Sequence, residues 1–186
     1  MKDFAGKFSS AILFCIDSHA NHPKTISTRS WDRKTPYAVH LLWCATTFLQ
    51  ETNLSKSVKR DREQCALALL FHDLIEDTTA ILPSWLPKGV LELIEQMTFS
   101  DEVGSTEIEI EEIWSRPPIV RLLKIYDKAS NLLDGSWMPN EKWNNQYVPY
   151  VLRLADDVEA NYGDLNIVRM SRAVAIKRPV SETTQA

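Results

Sequence analysis

The sequence predicts a single all-α domain, on the basis of three observations. Apolar residues recur at helical spacing along most of the chain, no segment alternates as a strand would, and no linker or repeat divides it. Its 186 residues, 44% of them hydrophobic, are enough for one globular core. The pattern therefore predicts a bundle of about 7–8 helices.

The limits of the predicted helices follow from local signals. Thr35 is expected to cap the second helix with Pro36 in its first turn, and Pro149 is expected to kink the long helix near the C-terminus. The predicted helices span 3–19, 35–51, 56–73, 89–97, 107–115, 119–133, 140–161 and 165–176. The domain is thus placed at 1–176, followed by a mobile polar tail at 177–186.

Composition excludes several classes of protein. The net charge of −4 provides no general attraction for a long nucleic acid. No apolar stretch reaches the roughly 20 residues of a membrane span, and the N-terminus lacks the apolar region of a signal peptide. Cys15, Cys44 and Cys65 lie in apolar helical contexts without metal-type spacing, as buried reduced thiols do. We therefore expect a cytoplasmic protein that uses no membrane.

The strongest chemical signal is the heptad HDLIEDT at residues 72–78. It places His72, Asp73, Glu76 and Asp77 directly after the apolar run 65–71. Burying carboxylates is costly unless they are paired, hydrogen-bonded or bound to a metal. The acidic pair could also be a solvated helix end. A histidine next to an aspartate at the edge of a core helix favours a divalent cation.

Two further residues extend this signal. His40 lies in the second predicted helix, and Asp127 interrupts an otherwise apolar helix. Lys124, Asp127 and Asn131 share one face of that helix, since they stand at i, i+3 and i+7. Taken alone, His40 could be a buried structural histidine and Asp127 could pair with Lys124 or Lys128. Together, two histidines and two aspartates make a four-ligand set for one cation.

These segments, in this order, resemble the HD-domain metal phosphohydrolases, which are all-helical. Among them the chain is most similar to small alarmone hydrolases of the RelA/SpoT type. The matching segments are Arg29 with TPYAVH at 35–40, HDLIEDT at 72–78 and KIYDKASNL at 124–132. The likeness covers residues 10–135, roughly, and predicts a single HD-type domain.

The resemblance implies a metal centre and a catalytic pair. The implied metal ligands are His40, His72, Asp73 and Asp127. Mn²⁺ is the favoured cation, with Fe, Co, Ni, Zn or Mg as alternatives. Glu76 and Asp77 are expected to orient the attacking water and to transfer its proton.

The resemblance also implies four substrate contacts. Lys124 and Lys128 are expected to neutralise phosphate charge. Asn131 is expected to line the nucleotide pocket, and Arg29 to pack on or bond to the base. The implied substrate is a small-molecule nucleotide.

The favoured function is metal-dependent hydrolysis of guanosine 3′,5′-bis(diphosphate), ppGpp, at its 3′-pyrophosphate. The alternative is a deoxynucleoside triphosphate triphosphohydrolase of the dATP type, or a 5′-nucleotidase, of the same fold. A non-catalytic nucleotide-binding HD module is the alternative from another class. The acidic helix at 107–112 and the long tryptophan-bearing helix are candidate contacts in a homo-oligomer.

Overall fold

The computed structural model is all-helical in the part of the chain that it describes, as predicted. It describes residues 3–24, 27–99, 106–135 and 143–176. Its α-helices are α1 (Phe4–Asn21), α2 (Ala38–Gln50), α3 (Lys56–Arg60), α4 (Arg62–Phe71), α5 (Leu74–Asp77), α6 (Lys88–Met97), α7 (Thr106–Glu112), α8 (Pro118–Gly135), α9 (Val148–Tyr162) and α10 (Asn166–Ile176). A 3-10 turn, Ile113–Ser115, follows α7, and a π-helical turn, Trp143–Tyr147, precedes α9.

The core is centred on α4, whose residues from Cys65 to Phe71 are all buried. This helix packs on α1, α2 and α6, while α8 packs on α2, α9 and α10. Helices α2, α4 and α8 also contact one another, so they meet in the middle of the bundle. A helix that is apolar on every face must be surrounded on all sides. This arrangement brings the ends of three sequence motifs to one place.

The predicted third helix at 56–73 was wrong as one continuous element. It is interrupted at Asp61, whose φ of −100° and ψ of 10° are not helical, and again after Phe71. His72 and Asp73 form a turn between α4 and α5. If α3, α4 and α5 are taken as one broken helix, the described chain has the eight helical regions that the pattern predicted.

The predicted cap of the second helix was also wrong. Helix α2 begins at Ala38, and the Thr35 hydroxyl donates a hydrogen bond to Asp32 Oδ2 at 2.6 Å. Thr35 therefore closes a loop, in which Arg33 adopts a φ of 54°. The Thr35 hydroxyl bonds to the Asp32 side chain and so does not cap the helix, because short polar side chains form local hydrogen bonds in turns.

Pro149 does not kink a long helix in its middle. It lies in the first turn of α9, where its missing N–H is tolerated, and the π-helical turn comes before it. Part of the predicted helix, 140–142, and the predicted tail, 177–186, lie outside the described residues.

The cysteine and membrane predictions can be compared with the structure. Cys15, Cys44 and Cys65 are free and buried, as predicted. Among the described helices none combines the length and apolarity that crossing a bilayer requires. Cytoplasmic location and subunit pairing stay predictions from the sequence.

Candidate metal centre

The four predicted metal ligands come from three elements that meet inside the bundle. His40 lies in the first turn of α2, His72 and Asp73 lie in the turn after α4, and Asp127 lies in the middle of α8. All four side chains belong to buried residues, between 1% and 7% exposed. The helix contacts described above therefore place two imidazoles and two carboxylates in one buried position.

The donor atoms of these side chains are close enough to share one ion. His40 Nε2 lies 3.3 Å from His72 Nε2, 3.3 Å from Asp73 Oδ2 and 3.4 Å from Asp127 Oδ1. His72 Nε2 lies 3.1 Å from Asp73 Oδ1 and 3.7 Å from Asp127 Oδ1. Ligands about 2.1 Å from a cation, at angles of about 90–110°, are about 3.0–3.4 Å apart. The spacings among His40, His72 and Asp73 fit a single divalent cation, and Asp127 lies next to them, slightly farther from His72.

Hydrogen bonds orient both imidazole rings. His72 Nδ1 lies 2.8 Å from the Leu69 carbonyl oxygen, which only accepts, so Nδ1 carries the hydrogen and Nε2 keeps its lone pair in the neutral ring. His40 Nδ1 lies 2.8 Å from Ser130 Oγ. Burial lowers the pKa of His72, but the carboxylates of Asp73 and Asp127 outweigh it and raise the pKa to about 9. Binding a cation at Nε2 therefore requires release of a proton.

Asp73 is held by a neighbour that sequence reasoning did not single out. The Tyr37 hydroxyl donates a hydrogen bond to Asp73 Oδ2 at 2.7 Å. Burial raises the pKa of Asp73, but the charge of His72 and the hydrogen bond from His40 outweigh burial and lower it. The carboxylate is therefore ionised, as a metal ligand must be.

Asp127 uses its two oxygens differently. Oδ1, which faces the histidines, also accepts a hydrogen bond from Asn131 Nδ2 at 2.9 Å. Oδ2 lies 3.1 Å from the Nζ of both Lys124 and Lys128. Burial opposes ionisation, but the two ammonium groups hold the pKa of Asp127 well below its usual value. One oxygen of Asp127 thus pairs with lysines, as the structural alternative expected. The other oxygen lies where the predicted metal ligand would be.

A buried glutamate completes the charges behind Asp127. Glu109 Oε2 lies 3.1 Å from Lys124 Nζ and 2.8 Å from Lys128 Nζ, and Glu109 Oε1 accepts the Tyr150 hydroxyl at 2.7 Å. Glu109 is 4% exposed. Two lysines and two carboxylates therefore face one another inside the protein, so each buried group has partners of the opposite type.

The predicted catalytic pair lies beside this centre, in α5. Glu76 is half-buried, and its Oε1 accepts the Phe99 backbone N–H at 3.4 Å. Burial raises the pKa of Glu76 to about 7, although the charge of Lys124 opposes the increase. A carboxylate with a pKa near neutrality suits a general base. Asp77 is also half-buried, and its catalytic role stays a prediction.

Arg29 lies on the other side of His40, in the loop before α2. Its Nε lies 2.8 Å from Asp134 Oδ2, its Nη2 donates to Asn131 Oδ1 at 3.2 Å, and its guanidinium carbon lies 5.5 Å from the Tyr37 ring centroid. A cavity of about 410 Å³ opens here. Its lining includes Arg29, Trp31, Val39, His40, Trp43 and Asp134. Arg29 therefore lines this cavity and contacts Asn131, and the roles of both residues in binding a base stay predictions.

Three residues of the site escaped the sequence reasoning. Tyr37 and Ser130 lie inside the motif segments, three residues before His40 and three after Asp127, so helical spacing could have indicated them. No pattern in the sequence distinguishes Glu109, because it stands among other glutamates at 107–112, which are exposed in the structure.

Comparison with known proteins supports the fold that the resemblance implies. No protein-family model and no curated protein matches the chain. A solved structure does match: a metazoan ortholog of SpoT, described as hydrolyzing ppGpp and playing a role in starvation responses. It is 20% identical, the match covers 90% of this chain and 93% of that chain, and the TM-score is 0.69. This chain therefore shares its overall fold with a SpoT-type ppGpp hydrolase.

Proposed function

We propose that the chain is a metal-dependent nucleotide phosphohydrolase, and that ppGpp, cut at its 3′-pyrophosphate, is its substrate. The observation that carries the proposal is the convergence of His40, His72 and Asp73, with Asp127 Oδ1 at 3.4 and 3.7 Å from the two imidazole nitrogens, on a fold shared with a ppGpp hydrolase. His40, His72 and Asp73 offer donor atoms that all lie within 4.8 Å of one another.

The donor set supports a divalent metal, and Mn²⁺ is the proposed cation. Imidazole mixed with carboxylate suits Mn, Fe, Co, Ni and Zn, and Mg is a further candidate. When bound, the cation supplies Lewis-acid polarisation of a phosphate oxygen and acidification of water. The ligands hold it in place: Tyr37 orients Asp73, Ser130 orients His40, and the Leu69 carbonyl orients His72.

The remaining residues supply proton transfer and electrostatics. We propose that Glu76, assisted by Asp77, accepts the proton of the attacking water, whose oxygen forms the new bond to phosphorus. The bond from phosphorus to the 3′-oxygen breaks, and that oxygen leaves as a hydroxyl by taking up the proton that Glu76 accepted. Lys124 and Lys128 lower the negative potential from behind Asp127, since their Nζ atoms contact Asp127 Oδ2.

Arg29 and Asn131 are proposed to bind the base. Arg29 lines the cavity next to His40, and its contact with Asn131 at 3.2 Å holds the guanidinium in place. Arginine provides a flat charged face for stacking, and the asparagine amide provides hydrogen bonds. This role rests on the position of the cavity beside the ligand His40.

The proposal is tested by product analysis with the manganese-loaded protein on ppGpp, GTP, dATP and dAMP. We expect GDP and pyrophosphate from ppGpp, and loss of the reaction in His72→Ala. Release of triphosphate from dATP, or of phosphate from dAMP, without attack on ppGpp would identify the same fold with another substrate. Nucleotide binding without turnover, in protein that copurifies with no metal, would indicate a binding module.

A further inference from the structure

Phe99 connects the metal centre to an arginine that the proposed mechanism does not use. Its ring centroid lies 5.4 Å from Lys124 Nζ and 5.1 Å from the guanidinium carbon of Arg116. Its backbone N–H is donated to Glu76 Oε1. Phe99 therefore contacts Lys124, Glu76 and Arg116, which lies two residues before α8.

The other cations of this site are already paired. Lys124 and Lys128 are 2% and 9% exposed, and each contacts both Asp127 and Glu109. Arg29 lies in a 2.8 Å contact with a carboxylate on the opposite side of the centre. A substrate with several phosphate groups gains little direct contact from these side chains, because their donors point at protein carboxylates.

Arg116 differs from these cations in exposure and in pairing. Its side chain is 31% exposed. The carboxylate contact that the structure gives it, to Glu112 Oε2, measures 3.8 Å, which is longer than a hydrogen bond. Its Nε is buried and finds no hydrogen-bond acceptor among the described residues. A guanidinium has five N–H donors, so this group retains the capacity to bind an anion.

We propose that Arg116 binds a second phosphate group of the substrate, beyond the phosphate that reacts at the metal centre. A guanidinium matches the geometry of a phosphate and can donate two parallel hydrogen bonds to it. Contact with the Phe99 ring, 5.1 Å from the guanidinium carbon, limits where the group can move. The inference rests on the proposed phosphohydrolase function. The bound phosphate is either the terminal one of the 3′-diphosphate or one of those on the 5′ side.

Steady-state kinetics with three guanosine substrates separate these sources. The substrates are ppGpp, the analogue with a 5′-monophosphate, and the analogue with a 3′-monophosphate. Arg116→Met keeps the length of the side chain and its contact with Phe99 but removes the charge. Arg116→Lys keeps the charge but removes the fork. Arg60→Met is the matched control, because Arg60 is exposed and lies 3.9 Å from its carboxylate neighbour Asp61.

For ppGpp we expect Arg116→Met to raise KM by about 10-fold to 100-fold, with kcat within about 3-fold of wild type. The KM of Arg116→Lys is expected to lie between those of wild type and Arg116→Met. The KM of Arg60→Met is expected to match wild type. If the effect disappears with the 3′-shortened substrate, Arg116 binds the terminal 3′-phosphate. If it disappears with the 5′-shortened substrate, Arg116 binds on the 5′ side.

Thermal unfolding of each variant confirms that the fold is kept. Wild-type KM values in Arg116→Met for all three substrates would overturn the inference and leave the proposed function intact. Failure of wild-type protein to hydrolyse any of the three would overturn the proposed function, and the inference with it. An equal rise of KM in Arg60→Met would also overturn the inference, by showing a general effect of charge.

Discussion

The two sides of Asp127 show how one turn of α8 serves two purposes. On the histidine side, His40 and His72 present ring nitrogens towards Asp127 Oδ1 at 3.4 and 3.7 Å. On the lysine side, Lys124 and Lys128 meet Asp127 Oδ2 at 3.1 Å, and Glu109 balances them. The first side gathers electron-pair donors around one point, and the second gathers opposite charges that compensate one another.

The difference indicates that the two sides have different energetics. Donors gathered around one point are completed by a cation, so their loss should affect metal binding and turnover first. A compensated buried network adds little by itself, but removing one partner leaves an unpaired buried charge, which typically costs 3–5 kcal/mol, roughly. Substitutions on the histidine side should therefore change chemistry, and those on the lysine side should change stability.

His72→Ala should have the largest effect on function. We expect the purified variant to contain no bound metal and to hydrolyse ppGpp at background rate, because one of four ligands is gone. Circular dichroism should show an unchanged helical fold. Metal analysis and turnover measure the effect, and the exposed His22→Ala is the control. Wild-type metal content in His72→Ala would contradict the ligand assignment.

Glu76→Ala should reduce turnover by about 10²–10⁴-fold and leave metal content unchanged. The reason is that Glu76 is proposed to accept a proton without binding the cation. Single-turnover rates measure the loss. Glu92→Ala serves as the control, since Glu92 is an exposed residue paired with Lys88 on α6. Undiminished turnover would remove Glu76 from the mechanism.

Glu109→Ala should lower the free energy of unfolding by about 3–5 kcal/mol, since it leaves the two lysines with one carboxylate between them. Urea denaturation measures the change. Glu112→Ala is the control, because Glu112 is an exposed glutamate of the same helix, α7. Asp127→Ala belongs to both sides and should lose metal and stability together. A stable Glu109→Ala that has lost its metal would reverse the comparison.

Ser130→Ala should weaken metal binding about 10-fold to 100-fold, because Ser130 Oγ orients His40 from 2.8 Å. Titration against a chelator of known affinity measures the change. Ser171→Ala removes another buried hydroxyl, one that donates to the Ile167 carbonyl in α10, and should leave the affinity unaltered. Equal affinity in both variants would show that His40 needs no such partner.

The pH dependence of stability should show the smallest effect. Burial raises the pKa of Glu76 from 4.5 to about 7, so the folded state binds this proton more tightly than the unfolded state. The contribution of Glu76 to the free energy of unfolding is therefore greatest below about pH 4.5 and decreases as the pH rises towards 7. In metal-free protein, urea unfolding of wild type and Glu76→Gln should diverge over this interval. Parallel curves would contradict the raised pKa.

The sequence was sufficient to identify the four candidate ligands, because their residue types and order are unusual. An aspartate inside an apolar helix, and a histidine-aspartate pair after an apolar run, have few explanations in a buried context. In the structure the side chains of His40, His72, Asp73 and Asp127 lie near one another, and the described residues confirm the all-α class. Their roles as ligands stay a proposal.

The parts that could not be predicted depend on tertiary contacts. Glu109 shares α7 with other glutamates, and only the packing of α7 against α8 and Tyr150 distinguishes it. Residue preferences alone do not predict that the helix is interrupted at Asp61. They also do not predict that Thr35 bonds to Asp32 instead of capping α2. The pairing of Arg29 with Asp134 likewise depends on how the loop before α2 packs on α8, so the sequence does not indicate it.

The turn at His72 and Asp73 has a consequence for how the length of such a chain can change. Adjacent residues of a continuous α-helix point about 100° apart, yet the break between α4 and α5 lets both side chains reach His40. One inserted or deleted residue between Cys65 and Asp73 would rotate the pair away from its partner. Insertions and deletions should therefore accumulate in the loops at 52–53 and 79–85, while the segment between them keeps a fixed length across divergent sequences.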